Sequence, residues 1–252
     1  MAGGCPLVLA GFALLAPFGP SDRPYAAGVV AFGFVSAEVL LVAALTPLFW
    51  SRALAGLLLP VSGLALVGAL GTSLPTLAGA MLVTACLLLF GTLTGAVVGN
   101  AIEVPGHLVV VAVVSALVDT FSVLHPSGPT AQLIEIEAAI DLLLLPWPML
   151  GTSDIQPVLG VGDIVFVAIY TSASRRHELS MRRTVAALAV GLAVTLAVVI
   201  ATGSGTPALP FLGGAFVLAH PSARALPKQD RKKALGGLLL LCAVFGLLFV
   251  TR

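Results

Sequence analysis

The stretch TLAGAMLVTACLLLFGTLTGAVVGN, residues 76–100, contains 25 consecutive residues without a charged side chain. A helix needs about 20 mainly apolar residues to cross the hydrocarbon layer of a membrane. Similar segments recur along the chain, in which 59% of the residues are hydrophobic and 9% are charged. A water-soluble protein carries roughly 25% charged residues. The sequence therefore predicts an all-α, polytopic bundle of transmembrane helices.

The apolar segments divide the chain into about nine predicted spans, of which the first and the eighth are short for a full crossing. They are residues 5–20, 25–49, 53–71, 76–100, 107–124, 157–173, 184–203, 206–220 and 235–250. We distinguish an N-terminal helical region at 1–105 and a core at 106–220. A basic loop with one further helix follows at 221–252.

The basic residues indicate the orientation, because short cytoplasmic loops are enriched in Lys and Arg. On the nine-span map, ten of these residues fall on one side, and only Arg23 and Arg252 fall on the other. We therefore expect a multi-pass protein of the cell membrane with a cytoplasmic N-terminus and an extracytoplasmic connection at 125–156. We interpret the basic segments 175–183 and 224–233 as topology determinants near anionic headgroups, not as nucleic-acid contacts.

Three acidic residues, Glu38, Asp119 and Asp163, lie inside predicted spans. An ionisable group in hydrocarbon costs at least ~2.5–3.5 kcal/mol and needs a partner or water. Asp119 lies six residues before His125, and Asp163 lies six residues after Pro157. In continuous helices, both positions are ~9 Å inside the same membrane face. Since helices adjacent in sequence commonly pack together, we expect the two aspartates to meet.

Two carboxyl groups a few ångströms apart share one proton, because both do not readily ionise. The ionised group can take a proton from an attacking water while the protonated group polarises a peptide carbonyl, as in aspartyl proteases. For Asp119 and Asp163, the alternative is a hydrogen bond that only joins two helices. For Glu38, a proton-path or substrate-path role and a structural hydrogen bond both remain open.

Two motifs accompany the aspartates. The glycines of Gly-Val-Gly at 160–162 directly precede Asp163 and let a neighbouring helix or a substrate backbone approach closely. The segment Pro-Ala-Leu-Pro at 207–210 opens the eighth span. Irregular backbone at membrane depth is tolerated only when it is buried in protein or lies beside water. The nine-span map places this segment near the depth of both aspartates.

Three segments resemble, in order and spacing, the signatures of the presenilin and signal peptide peptidase family of intramembrane aspartyl proteases. They are DTFSVLHPSGP at 119–129, LGVGDIVF at 159–166 and PALPFL at 207–212. The resemblance covers about 107–220 and is strongest to archaeal presenilin-like members. It implies that Asp119 and Asp163 are the catalytic pair. It also implies that five residues shape the active site and help to hold the substrate: Gly160, Gly162, Pro207, Ala208 and Leu209.

The resemblance predicts an endopeptidase that cleaves transmembrane segments or signal peptides within the lipid bilayer, without a cofactor or a metal. Self-association is left open. A proton-coupled transporter that uses the buried carboxylates as a relay is the alternative, although we find no inverted repeat. A prepilin-type peptidase shares the Asp and GxGD features but lacks the PAL segment. Residues 132–145 are interpreted as an interfacial helix, a plug or a surface connector.

Overall fold

A computed structural model shows a mostly helical protein. The described residues are 24–49, 51–70, 77–133, 143–151 and 154–250. The predicted first span at 5–20 lies outside the described residues. So does the centre of the predicted connection, which includes most of the 132–145 element.

Nine α-helices and two β-strands follow one another within the described stretches. The helices are α1 (Pro24–Leu45), α2 (Arg52–Leu70), α3 (Leu77–Ala101), α4 (His107–Leu124), α5 (Pro129–Leu133), α6 (Val161–Arg176), α7 (Met181–Thr202), α8 (Leu209–Ala219) and α9 (Lys228–Val250). The strands are β1 (Leu144–Pro148) and β2 (Ile155–Gly160). Short 3-10 helices at Thr46–Phe49 and Pro221–Arg224 follow α1 and α8.

Among the described residues, four helical segments are long and apolar enough to cross a membrane. They are Ala26–Leu45, Leu77–Ala101, His107–Gln132 and Met181–Thr202. Their outward faces carry large apolar side chains, such as Leu41 on α1 and Val190 on α7. Such faces suit contact with lipid, because lipid tails are as apolar as leucine. The prediction of a mostly helical chain with several apolar helices of membrane-spanning length is therefore confirmed.

A two-stranded antiparallel sheet interrupts the helices where the sequence predicted the start of the sixth span. Trp147 of β1 lies opposite Gln156 of β2, and a register shift follows Leu145. The predicted span therefore begins as a strand, and its helix starts only at Val161. Short apolar runs do not distinguish strands from helices. Prolines fit such a small sheet, because each strand pairs along only one edge within the described residues.

The chain divides into two compact units. The first comprises Met1–Gly99 with Ile136–Ser172, and the second comprises Asn100–Glu135 with Ala173–Arg252. The first unit contains α1, α2, the hairpin and most of α3 and α6. The second unit contains α4, α5, α7, α8 and α9.

In the first unit, α6 packs directly on the backbone of α3. A Cβ atom at Gly95 would lie 2.2 Å from the Val165 carbonyl oxygen and 2.5 Å from the Ala168 Cβ. A Cβ atom at Gly91 would lie 2.8 Å from the Ile164 Cγ2. Only glycine permits such an approach. Because the two contacts follow in the same order along both helices, α3 and α6 run in the same direction.

In the second unit, α4 and α9 also run in the same direction. The His107 Nε2 at the start of α4 lies 3.2 Å from the Asp230 Oδ2 near the start of α9. Towards the other ends, the ring centroids of Phe121 and Phe245 are 5.1 Å apart. The helix α9 begins at Lys228, seven residues before the predicted span. Its basic first turns are thus helical and continuous with its apolar part.

Candidate functional site

Asp119 lies five residues before the end of α4 and faces the start of α8. Its Oδ2 accepts a hydrogen bond of 2.9 Å from the backbone N–H of Leu209, the first residue of α8. Pro207, Ala208 and Leu209 are all buried. The structure therefore brings the first predicted aspartate and the PAL segment together.

The chemistry of a helix start explains this contact. The first backbone N–H groups of a helix have no acceptor within the helix. Ala208 precedes α8 without making a side-chain cap, and Pro210 has no N–H to offer. The carboxyl group of Asp119 takes the place of the missing cap. The positive end of the helix dipole lies at the same point and attracts a carboxylate.

The turn after Asp119 folds back on the end of α4. The Ser122 Oγ accepts a hydrogen bond of 3.0 Å from the Thr130 N–H and lies 2.7 Å from the Thr130 Oγ1. A Cβ atom at Gly128 would lie 2.4 Å from the Ser122 carbonyl oxygen, so glycine is required there. The Ser127 N–H donates to the His125 Nδ1 at 3.1 Å. These contacts therefore hold the segment after α4 against the last turn of that helix, which directly follows Asp119 in the chain.

Asp163 lies in the first turn of α6, directly after β2. A Cβ atom at Gly160 would lie 3.5 Å from the Asp163 Oδ2, so a side chain there would stand against this carboxyl. No atom of the described residues lies within 4 Å of a Cβ atom placed at Gly162. The two glycines thus leave space beside Asp163 and on the exposed face of the strand-to-helix junction.

The continuous helix that was assumed between Pro157 and Asp163 needs correction. A continuous helix counted from Pro157 gave ~9 Å. Residues 157–160 belong to β2, and Asp163 lies only two residues into α6, or ~3 Å along its axis. Asp119 belongs to the second compact unit and Asp163 to the first. The meeting of the two carboxyl groups stays a prediction.

Glu38 lies in α1, which belongs to the first unit. Its side chain is 7% exposed. It follows Ala27, Ala31 and Val35 on one inward stripe of the helix, all of them buried. A carboxyl group on such a stripe faces the interior of the unit. Both the structural and the functional interpretations of Glu38 therefore remain in place.

Two features that position the candidate residues were not predicted from the sequence. The first is the Leu209 amide, which carries no side-chain signal and follows only from the missing cap of α8. The second is the hairpin before Asp163. Gly151, which has a φ of 82°, lies in the loop between the strands and was an available turn signal. The Thr84 hydroxyl donates to the Pro146 carbonyl at 3.2 Å and ties the hairpin to α3.

The candidate residues thus form two separate groups, Asp119 with the PAL segment in the second unit and the Gly160–Asp163 junction in the first. Among the described residues, no three His, Cys, Asp or Glu side chains are grouped closely enough to hold a metal ion. Comparison with protein-family models, with curated proteins and with solved structures found no match to this chain.

Proposed function

We propose that this chain is an intramembrane aspartyl endopeptidase of the presenilin and signal peptide peptidase type. Asp119 and Asp163 form its catalytic pair, and transmembrane segments or signal peptides are its substrates. The hydrogen bond between Asp119 and Leu209 carries the proposal, because it joins two motif segments that lie 90 residues apart in the chain. The third segment supports it, since the strand-to-helix junction places Asp163 beside two glycines.

The proposed chemistry needs one proton shared by the two carboxyl groups. The ionised carboxyl takes a proton from water as the water oxygen attacks the peptide carbonyl carbon. The protonated carboxyl gives its proton to the carbonyl oxygen, and a tetrahedral diol forms. When the C–N bond breaks, the amine nitrogen receives a proton from one carboxyl while a diol hydroxyl returns a proton to the other. The pair is then ready for another cycle.

The substrate must be unwound before it can be cut, because the amides of a helix are already hydrogen-bonded. The strand β2 ends at Gly160, three residues before Asp163, and the two-stranded sheet leaves its other edge unpaired within the described residues. An extended segment that adds to this edge gains backbone hydrogen bonds. We therefore place the scissile region of the substrate along β2, next to Asp163.

We further propose about nine spans with alternating direction. The directions of neighbouring helices support this topology, because α4 and α9, which are the fifth and ninth spans on our map, run the same way. The helix α8 is the eighth span and runs against α4, since its first residue meets Asp119 while the following Ala225 carbonyl packs on Gly106 at the start of α4. If successive spans cross the membrane in alternating directions, the fifth and ninth spans must run the same way and the eighth must run the opposite way.

The distribution of Lys and Arg predicts that the 125–156 connection lies outside the cytoplasm. This is similar to signal peptide peptidases, and substrates with a cytoplasmic N-terminus, such as residual signal peptides, are then favoured. Reporter fusions after Ile140 and Glu178 test it. An extracytoplasmic signal at Ile140 with a cytoplasmic signal at Glu178 is expected, and the opposite pattern overturns the orientation.

The decisive experiment uses the purified full chain in liposomes with a signal-peptide-like helix as substrate. Asp119→Asn and Asp163→Asn each remove one acid while keeping the side-chain shape. In Asp119→Asn, the amide oxygen of the introduced side chain still accepts from the Leu209 N–H, so the cap of α8 survives. Asp154→Asn is the matched control, because Asp154 is exposed in the loop before β2.

The variants at Asp119 and Asp163 should both lose cleavage, and the Asp154 variant should retain it. Cleavage that persists in either of the first two variants refutes the catalytic pair. Circular dichroism and thermal unfolding in the same liposomes should be unchanged, because an Asp→Asn exchange leaves the packing intact. Loss of activity is interpreted only in variants that pass this test.

A proton-coupled transporter is the second candidate, and the burial of Glu38 in a membrane-length helix favours it. Intramembrane carboxyl groups commonly mark proton relays. The two functions differ in their response to Glu38→Gln. A relay should lose pH-gradient-driven flux in this variant, whereas the proposed protease should continue to cut its substrate. Flux in the wild type without any cleavage would favour the transporter.

A further inference from the structure

The helix α8 is too short to set its own position in a membrane. It has 11 residues, which corresponds to about 16 Å, against a hydrocarbon layer of roughly 30 Å. Its place along the helix axis must therefore come from contacts with its neighbours. The contact at its first residue is the bond between Leu209 and Asp119.

A buried hydrogen-bond network holds the other end of α8. The His220 Nε2, directly after the last residue of α8, lies 3.0 Å from the Thr184 Oγ1 on α7. The Thr184 Oγ1 also lies 2.8 Å from the Ser174 Oγ at the end of α6. Ser174 and Thr184 are fully buried, and His220 is 4% exposed. Polar groups buried this deeply are costly to leave unpaired, so the network resists sliding of α8.

Between these ends, α7 touches the backbone of α8. A Cβ atom at Gly191 would lie 2.9 Å from the Leu212 Cα and 3.0 Å from the Phe211 carbonyl oxygen. This contact lies near the start of α8, whereas the contact of Thr184 lies at its end. The two helices therefore run in opposite directions and touch over most of the length of α8. Gly191 sets their separation, but a glycine surface alone does not prevent sliding along the axis.

We propose that Thr184 is a positioning residue that sets the register of α8 and thereby keeps the Leu209 amide on Asp119. A slip of one residue would shift α8 by about 1.5 Å and turn it by about 100°, which would move Leu209 away from the carboxyl. Misplacement of reacting groups by about 1 Å can cost 10²-fold in rate. The consequence for cleavage rests on the proposed function, whereas the consequence for Leu209 does not.

Three variants separate this role from general packing. Thr184→Val removes the hydroxyl at nearly constant volume, and Thr184→Ser keeps it. Thr195→Val is the matched control, because Thr195 is also buried on α7 and its hydroxyl donates to the Gly191 carbonyl of the same helix at 2.9 Å. Hydrogen exchange of ¹⁵N-labelled Leu209 reports directly on its bond to Asp119, and kcat and KM are measured with a transmembrane peptide.

In Thr184→Val, the Leu209 amide should exchange about ten-fold faster or more. The same variant should lose about ten-fold or more in kcat, with KM changed much less. Both Thr184→Ser and the Thr195→Val control should behave like the wild type. Unchanged exchange in Thr184→Val, or an equal loss in Thr195→Val, overturns the proposal.

A second variant covers the case in which Thr184→Val does not fold. His220→Asn shortens the side chain at the end of α8 but leaves the contact between Thr184 and Ser174 intact. It should give the same faster exchange at Leu209, and wild-type exchange overturns the proposal. If the wild type cuts no substrate, the protease function fails, while the exchange experiment still decides the role of Thr184.

Discussion

Replacing Gly95 by alanine tests the packing that holds the helix of Asp163. The added Cβ atom would lie 2.2 Å from the Val165 carbonyl oxygen and 2.5 Å from the Ala168 Cβ. Ordinary contacts between carbon atoms are about 3.5–4.0 Å, so α6 must move away from α3 by about 1 Å. A backbone carbonyl cannot rotate out of the way as a flexible side chain does, and the helix must move as a body.

The change in the free energy of unfolding of Gly95→Ala follows from two opposing effects. Overpacking of this kind costs about 1–3 kcal/mol, and a backbone clash lies at the upper end. Alanine regains about 1 kcal/mol over glycine within a helix. The free energy of unfolding should therefore fall by about 2 kcal/mol in Gly95→Ala. Since Asp163 lies in the first turn of α6, a shift of about 1 Å should also lower the cleavage rate by up to 10²-fold.

Gly33→Ala is the matched control in the same compact unit. Gly33 is exposed on α1, and no atom of the described residues lies within 4 Å of a Cβ atom placed there. This variant should gain up to about 1 kcal/mol. Unfolding titrations of both variants in the same mixed micelles should thus differ by about 3 kcal/mol. Equal stability would refute the close approach of α3 and α6.

Three further predictions concern the ends of the helices in the second unit. Ser122→Ala removes the acceptor of the Thr130 N–H and should lower the free energy of unfolding by about 1–3 kcal/mol, as measured by detergent titration. Gly128→Ala would place a Cβ atom 2.4 Å from a carbonyl oxygen and should lower the thermal midpoint further than Ser122→Ala does. Burial lowers the pKa of His177 from its ordinary value of 6.5, although its bond to the Ile102 carbonyl opposes this shift. The contribution of neutral His177 to stability is therefore complete above about pH 6.5. It is lost as the pH falls through the lower pKa of the folded state. His177→Gln should therefore flatten the fall in unfolding midpoint between pH 7 and 5.

Hydropathy located several helices well, because a helix that can cross a membrane is an apolar run of about 20 residues. The fifth predicted span, 107–124, coincides with α4. The last helix starts earlier than predicted, at Lys228, because Lys, Gln and Arg are good helix formers and their polarity marks only the end of the lipid-facing part. Apolarity thus predicts the part of a helix that lies in hydrocarbon, and helix propensity predicts how far it continues.

The hairpin of β1 and β2 was not predicted from the sequence, and the reason is physical. The residues of β2, IQPVLG, are apolar enough to pass as the start of a span. What distinguishes them is pairing with β1, whose Trp147 and Leu145 are buried. Pairing between strands is a property of tertiary structure, and apolar runs of this length do not reveal it. The assumption of a continuous helix from Pro157 to Asp163 was wrong for the same reason, whereas the nine-span map did predict the PAL segment near the depth of Asp119.

One carboxyl group can serve both as the cap of α8 and as a member of a catalytic pair. A carboxylate offers about four lone-pair sites on its two oxygens, and the Leu209 N–H occupies one of them on Oδ2. The other sites remain for a shared proton, a water or a substrate. The bond also restricts rotation of the Asp119 side chain, and restricted orientation is what proton transfer to an attacking water requires. A backbone amide is well suited to this task because no side-chain rotamer has to be ordered to present it.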